Sequence, residues 1–86
     1  MKVLKSNRNS NVYKLFEDRI EITSDDGNYT IPLPKDCNSD IICFYDLFYD
    51  SDYKKLRVIA ARRKGYDIQY VIDEESLTLK EKAFFK

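Results

Sequence analysis

Eighty-six residues are enough for one domain with a single modest core, so we predict one domain spanning 1–86 and no second lobe with its own active-site cleft. The chain is 43% hydrophobic and 35% charged, with two Gly and two Pro, which excludes disorder and collagen-like repeats. Fifteen basic residues balance fifteen acidic ones, so no global field attracts nucleic acid or an anionic membrane.

Short alternating runs, typical of half-buried β-strands, fill the N-terminal third of the chain. Ile20 and Ile22, for example, alternate with polar residues. The sequence DDGN at 25–28 is a strong hairpin signal, because Asp, Gly and Asn tolerate positive φ. The run 29–33 alternates again, but Pro32 cannot donate to a ladder. We therefore expect this run to be an edge strand or to end there.

The apolar stretch IICFYDLFY at 41–49 matches two patterns. Its apolar residues fall at the i, i+3, i+4, i+7 spacing of a helix, and every second residue also forms one face of a strand. We favour a strand, because aromatic and β-branched residues dominate and the usual helix formers are missing. A short helix around 40–50 stays open. On a strand, Asp46 and Asp50 would share a face with Phe44 and Phe48.

Residues 56–72, LRVIAARRKGYDIQYVI, contain two β-prone runs that meet at Lys64-Gly65. A helix around 52–63 is the alternative, but a hairpin explains both runs together. One side of the second run would carry Tyr66, Ile68, Tyr70 and Ile72. An acidic turn at 73–76 and a last run, whose pattern slips at Glu81, follow. We predict a mainly β fold: five or six antiparallel strands in a meander, as a curved sheet or a small barrel.

The chain offers little for catalysis or for cofactors. It has no His, so the commonest general base and the commonest neutral metal ligand are missing, and two Cys alone cannot complete a zinc site. No phosphate-binding or calcium-binding motif occurs, and the adjacent carboxylates lie where turns need polar residues. We predict that the protein is not an enzyme and has no catalytic, cofactor or metal site.

We expect a cytoplasmic protein without a membrane partner. The stretch 41–49 is interrupted by Asp46 and is far shorter than the ~20 residues of a spanning helix. The N-terminus has no apolar segment of the kind found in signal peptides. Cys37 and Cys43, six residues apart, do not form a disulfide framework, and two reduced thiols fit the same compartment.

Charge is segregated along the chain, with acidic residues alone between 36 and 52 and basic residues alone between 54 and 64. Cross-strand pairing on a solvated face explains this pattern. Alternatively, basic and aromatic residues form a binding patch, since guanidinium groups and aromatic rings are frequent hot spots. The candidate residues are Arg57, Arg62, Arg63, Tyr66 and Tyr70, and the rival face carries Asp46 and Asp50.

The prediction of function rests on elimination. We expect a non-enzymatic protein-binding domain, such as an inhibitor or an immunity-type protein, acting through a sheet face or edge. A small β-barrel that binds RNA or single-stranded DNA is the alternative, but zero net charge favours a protein partner. An edge strand at 77–85 would also permit a symmetric homodimer.

The segment GYDIQYVIDEESLTL at 65–79 resembles the last strands of the small ribosome-dependent ribonuclease toxins of the RelE/ParE type. The resemblance covers roughly one sixth of the chain. In that family two helices precede these strands, whereas this sequence opens with strand and turn signals. The resemblance implies a further alternative, a histidine-free ribonuclease that uses Arg62, Arg63 and either Tyr66 or Tyr70.

Overall fold

The computed structural model describes residues 2–35, 41–52 and 54–85, and within these ranges the chain forms β-strands and turns but no helix. The strands are β1 (Lys2–Lys5), β2 (Val12–Leu15), β3 (Arg19–Ser24), β4 (Gly27–Pro32), β5 (Ile41–Tyr49), β6 (Leu56–Arg62), β7 (Asp67–Asp73) and β8 (Thr78–Phe85). They form two four-stranded antiparallel sheets, sheet 1 with the order β1-β2-β3-β4 and sheet 2 with the order β5-β6-β7-β8.

The predicted mainly β fold and its antiparallel meander connectivity are confirmed. The described residues form eight strands instead of five or six, however, and these strands form two sheets that do not close into a barrel. Both short-helix alternatives are wrong, since 41–49 is β5 and 56–62 is β6. Aromatic and β-branched side chains lose χ1 freedom on a helix and pack well on a pleated sheet, which explains this outcome.

The core lies between the two sheets and contains side chains from both. Strands β2, β3, β6 and β7 place alternate residues inward, as the sequence pattern predicts. The buried core residues are Tyr13, Leu15, Ile20, Ile22, Ile31, Phe44, Leu47, Leu56, Val58, Ala60, Ile68, Tyr70 and Ile72. A backbone hydrogen bond of 2.8 Å, from the Phe44 N–H to the Glu17 carbonyl, also joins the sheets.

Two irregularities in β5 change which face of the sheet its residues occupy, compared with the prediction. The register with β6 shifts between Ile41 and Cys43 and again between Phe44 and Asp46. As a result Phe44 is buried opposite Ala60 in the core, whereas Asp46 pairs with Ile59 on the outer face. The expectation that Phe44 and Asp46 share a face is therefore wrong, because an inserted residue reverses the alternation.

The predicted hairpin turns are confirmed. Asp25-Asp26 joins β3 to β4, and β4 ends at Pro32 as the edge strand of sheet 1. The β6–β7 loop is 63–66, with Gly65 at a φ of 85°, and β8 has its register shift at Glu81, whose φ is 49°. This positive φ is the physical reason for the slip in the last run.

The loops gather at two opposite ends of the molecule. One, the Glu74 end, carries the β1–β2 loop, the β5–β6 turn and the β7–β8 turn, joined by contacts to Glu74. The other, the Arg62 end, carries the start of β5, the end of β6, the β6–β7 loop and the end of β8. These two ends contain the side-chain clusters that bear on function.

Candidate functional site

The Arg62 end of sheet 2 exposes three large apolar side chains. Ile42 lies near the start of β5, Tyr66 in the β6–β7 loop and Phe84 near the end of β8, and they are 50%, 58% and 57% exposed. Strands β5 and β8 are the two edges of the sheet, three strand spacings or about 14 Å apart. Single exposed apolar residues are ordinary, but several at one end of a sheet mark a candidate contact surface.

Arg62 contacts two of these residues, the side chain of Phe84 and the backbone of Tyr66. Its Cζ lies 5.7 Å from the centroid of the Phe84 ring, and its Nη1 donates to the Tyr66 carbonyl at 3.4 Å. A Cβ at Gly65 would lie 3.3 Å from the same Nη1, so glycine both permits the positive φ of the loop and leaves room for the guanidinium. The loop conformation and the position of Arg62 therefore depend on each other.

Basic side chains accompany the apolar ones. Arg63 and Lys64 are exposed in the β6–β7 loop, beside Arg62 at the end of β6. We call this set the aromatic–basic surface; it consists of Ile42, Arg62, Arg63, Lys64, Tyr66 and Phe84. Large apolar groups beside guanidinium groups are typical of the centre of protein interfaces.

A hydrogen bond between Tyr45 and Asp67 borders this surface. The Tyr45 hydroxyl donates to Asp67 Oδ2 at 2.7 Å, passing over β6 where the small side chain of Ala61 pairs with Cys43. Partial burial and the neighbouring carboxylate raise the pKa of Tyr45 to about 12. The phenol is therefore protonated near neutral pH, and the carboxylate of Asp67 is engaged within the protein.

The structure separates the other predicted residues from this surface. Arg57 Nη2 lies 3.5 Å from Asp50 Oδ2, with both side chains largely buried, and Lys2 Nζ lies 2.9 Å from Asp46 Oδ1. Ion pairs also join Lys80 to Asp73 and Lys55 to Glu81. The cross-strand pairing of acid and base that we expected is observed between Arg57 and Asp50, whereas Asp46 pairs with Lys2 of the other sheet.

Tyr70 does not lie at the surface at all. It is 5% exposed and lies in the core between Ile68 and Ile72, so its place among the candidate contact residues needs correction. The alternation of side chains along β7 places these three residues on its inner face. Tyr66 lies in the loop before β7, so this alternation does not apply to it. Of the predicted patch, Arg62, Arg63 and Tyr66 come together.

The Glu74 end contains a cluster that the sequence did not reveal. Glu74 is 9% exposed, and its Oε1 accepts hydrogen bonds from the hydroxyls of Ser6, Tyr13 and Tyr49 at 2.7, 3.0 and 2.9 Å. The Nε of Arg8 lies 3.4 Å from Oε2, an ion pair rather than a hydrogen bond. The sequence predicts only a turn residue at Glu74. The cluster could not be predicted, because the partners of Glu74 are distant in sequence and no spacing pattern relates them.

This cluster joins the sheets and does not resemble a catalytic centre. Burial raises the pKa of both Tyr13 and Tyr49, so neither phenol supplies a base near neutral pH. A groove of about 600 Å³ opens beside it, but its charged side chains largely pair with one another, as Lys80 does with Asp73. The geometry indicates a clasp between sheet 1 and sheet 2.

Candidate metal ligands and thiols can be located within the ranges that the structure describes. There, no three His, Cys, Asp or Glu side chains gather in a way that could hold a metal ion. Cys43 is a free, half-buried thiol on β5, and Cys37 lies outside the described residues. The described residues contain no helix that is long and apolar enough to cross a membrane.

No family model, no curated protein and no solved structure matches this chain. The segment 65–79, which resembles part of the RelE/ParE-type toxins, forms β7, the β7–β8 turn and the start of β8. The two helices that precede such strands in that family have no counterpart among the described residues. The resemblance is therefore confined to one hairpin.

Proposed function

We propose that this chain is a non-enzymatic protein-binding domain that contacts its partner through the aromatic–basic surface. The observation that carries the proposal is the contact of Arg62 with the exposed ring of Phe84 and with the backbone of exposed Tyr66, at the end of sheet 2 where Ile42 is also exposed. Tyr and Arg are among the residue types that most often carry the binding energy of protein interfaces. An inhibitor or an immunity-type protein needs a surface of this kind and no pocket.

A protein partner is favoured over nucleic acid by the overall charge. The chain is neutral, so the sequence-independent attraction to phosphates that nucleic-acid binders exploit is small. One observation supports the nucleic-acid alternative: Arg62 lies over the Phe84 ring, and Arg63, Lys64 and Tyr66 are exposed in the adjoining loop. Such a set can stack bases and follow a phosphate backbone. A histidine-free ribonuclease would use the same side chains, without Tyr70.

We further propose that the domain acts in the cytoplasm. The free thiol of Cys43 suits a reducing compartment, where structural disulfides are rare.

Affinity capture from an extract of cells that produce the protein tests the proposal. We compare the wild-type chain with the double variant Arg63→Ala/Tyr66→Ala and with a matched control, Lys5→Ala/Tyr29→Ala, which removes an exposed cation and an exposed Tyr from edge strands of sheet 1. The expected result is a protein retained by wild type and control, lost with the double variant, and resistant to nuclease. Capture that nuclease abolishes, or that the double variant preserves, contradicts the proposal.

A further inference from the structure

We infer that two copies of this chain pair through the free edge of β4, as antiparallel strands related by a two-fold axis at Tyr29. This inference goes beyond the proposed function, because it concerns sheet 1 and a partner that is a second copy of the chain. An edge strand presents unpaired backbone N–H and C=O groups, which another strand can satisfy. In a symmetric pair, the same edge supplies both strands.

Strand β4 is the edge with the fewest obstacles to pairing. The edge of β5 already donates from the Phe44 N–H to the Glu17 carbonyl, and β8, the edge predicted for a homodimer, is interrupted at Glu81, whose φ is 49°. Strand β1 begins and ends with Lys, so an antiparallel copy would bring like charges together. In β4, by contrast, residues 27–32 carry no charge, pair with β3 without a register shift, and are exposed except for Ile31.

Pro32 shows which backbone groups of β4 point to the free edge. It lies opposite Arg19 of β3, and because Pro has no N–H, these two residues cannot exchange the two bonds of a hydrogen-bonded pair. Hydrogen-bonded and non-hydrogen-bonded pairs alternate along an antiparallel ladder, so Thr30 and Asn28 also belong to pairs of the second type. The N–H and C=O groups of these two residues therefore point away from β3.

These groups match those of a second copy in one register. With Tyr29 opposite Tyr29 of the copy, the N–H groups of Asn28 and Thr30 donate to the carbonyls of Thr30 and Asn28 across the axis. Pro32 then lies opposite the β3–β4 turn of the copy, so its missing N–H leaves no strand carbonyl without a donor. A register centred on Thr30 would place Asn28 opposite Pro32, which cannot donate, and is disfavoured.

The side chains at this edge are compatible with the same register. Tyr29 pairs with Ile22 on the inner face of sheet 1, yet it is 42% exposed. In a non-hydrogen-bonded antiparallel pair the Cα atoms are about 4.5 Å apart, so the two Tyr29 side chains would contact each other on the same face. A charged segment would gain no ion pair from β4. An uncharged strand with the same pattern of donors and acceptors, a second copy, therefore fits this edge best.

The contact between the two copies is small. It consists of a short stretch of backbone and one pair of aromatic side chains, well below the area of a stable interface, so we expect a Kd on the order of 0.1 mM. At micromolar concentrations the chain is then mostly a monomer with β4 unpaired, and at millimolar concentrations it is mostly a dimer.

Sedimentation equilibrium of the full chain between about 10 µM and 1 mM tests the inference. Thr30→Pro removes one N–H from the free edge but none that bonds β3, because Thr30 and Glu21 form a non-hydrogen-bonded pair. Thr30→Val keeps this N–H and is the matched control. We expect the wild-type chain and Thr30→Val to dimerise equally, and Thr30→Pro to raise the Kd by about tenfold or more.

A second measurement keeps the inference testable if Thr30→Pro does not fold. In a mixture of isotope-labelled and unlabelled wild-type chains, isotope-filtered NMR should detect a contact between the Hα atoms of Tyr29 in the two copies. A wild-type chain that stays monomeric at about 1 mM, a dimer that folded Thr30→Pro preserves, or a dimer without the Tyr29 contact would overturn the inference. The proposed function is tested separately, by affinity capture through the aromatic–basic surface.

Discussion

At the scale of single residues, Glu74 contributes more to the stability of the fold than its position in a turn indicates. Its carboxylate accepts three hydroxyl hydrogen bonds from both sheets while almost excluded from solvent. Removing one donor removes a hydrogen bond to a buried charge, which is stronger than a bond between neutral groups. A variant that lacks one of these hydroxyl groups should therefore have a lower free energy of unfolding than the wild-type protein.

Tyr13→Phe should lower the free energy of unfolding by about 1.5–3 kcal/mol, because it deletes only the hydroxyl that donates to Glu74. The matched control is Tyr29→Phe, which deletes an exposed hydroxyl that donates to Asp26 and should change stability by less than about 1 kcal/mol. Urea unfolding followed by circular dichroism measures both. Equal effects of the two substitutions would show that Glu74 is not a clasp.

The Asp73–Lys80 pair predicts a pH dependence. The Lys80 ammonium and the N–H groups of Glu75 and Ser76 lower the pKa of Asp73 to about 2. A carboxyl whose pKa is lower in the folded state contributes stability above its unfolded pKa of about 3.9, and this contribution is lost as the pH falls through about 2. Asp73→Asn should therefore lose less stability than wild type in acid unfolding between about pH 4 and pH 2. An identical loss in both proteins would contradict this origin of the shift.

At the scale of elements, the alternation of apolar residues identifies strands well where pairing is regular. Strand β3 follows it throughout, whereas in β7 the buried Val71 interrupts it between Tyr70 and Ile72, where the pairing with β8 also shifts. Turn residues mark the hairpins between these strands and their neighbours. In β5 the register shifts cannot be predicted, because the inserted residues are themselves apolar and fit either face. Strand β1 has four residues, of which only Val3 and Leu4 are apolar, too few for a pattern.

The β6–β7 loop yields a prediction about its glycine. Gly65→Ala forces a Cβ onto a residue with a φ of 85° and places it 3.3 Å from Arg62 Nη1, so we expect a loss of about 1–2 kcal/mol of stability. Arg63→Ala, in the same loop but exposed, serves as the control and should be nearly neutral. Thermal unfolding compares them, and an equally stable Gly65→Ala variant would show that the loop is not constrained as described.

At the scale of the whole molecule, the aromatic–basic surface combines segments far apart in sequence. Arg62, Arg63 and Tyr66 are close along the chain, which is why the basic and aromatic composition of 56–72 pointed to them. Ile42 and Phe84 join them only because β5 and β8 flank the β6–β7 hairpin in one sheet. The division into two sheets was likewise not predictable, since a single meander and two shorter ones produce the same strand pattern.

Photo-crosslinking in the cells that produce the protein tests the central claim most directly. A benzophenone amino acid replaces Tyr66 on the aromatic–basic surface, or, as the control, Tyr29, an exposed Tyr on the edge strand β4 of sheet 1. We predict a discrete protein adduct from position 66 and none from position 29. Adducts from position 29 alone, or adducts from position 66 that contain only nucleic acid, would contradict a protein-binding role for this surface.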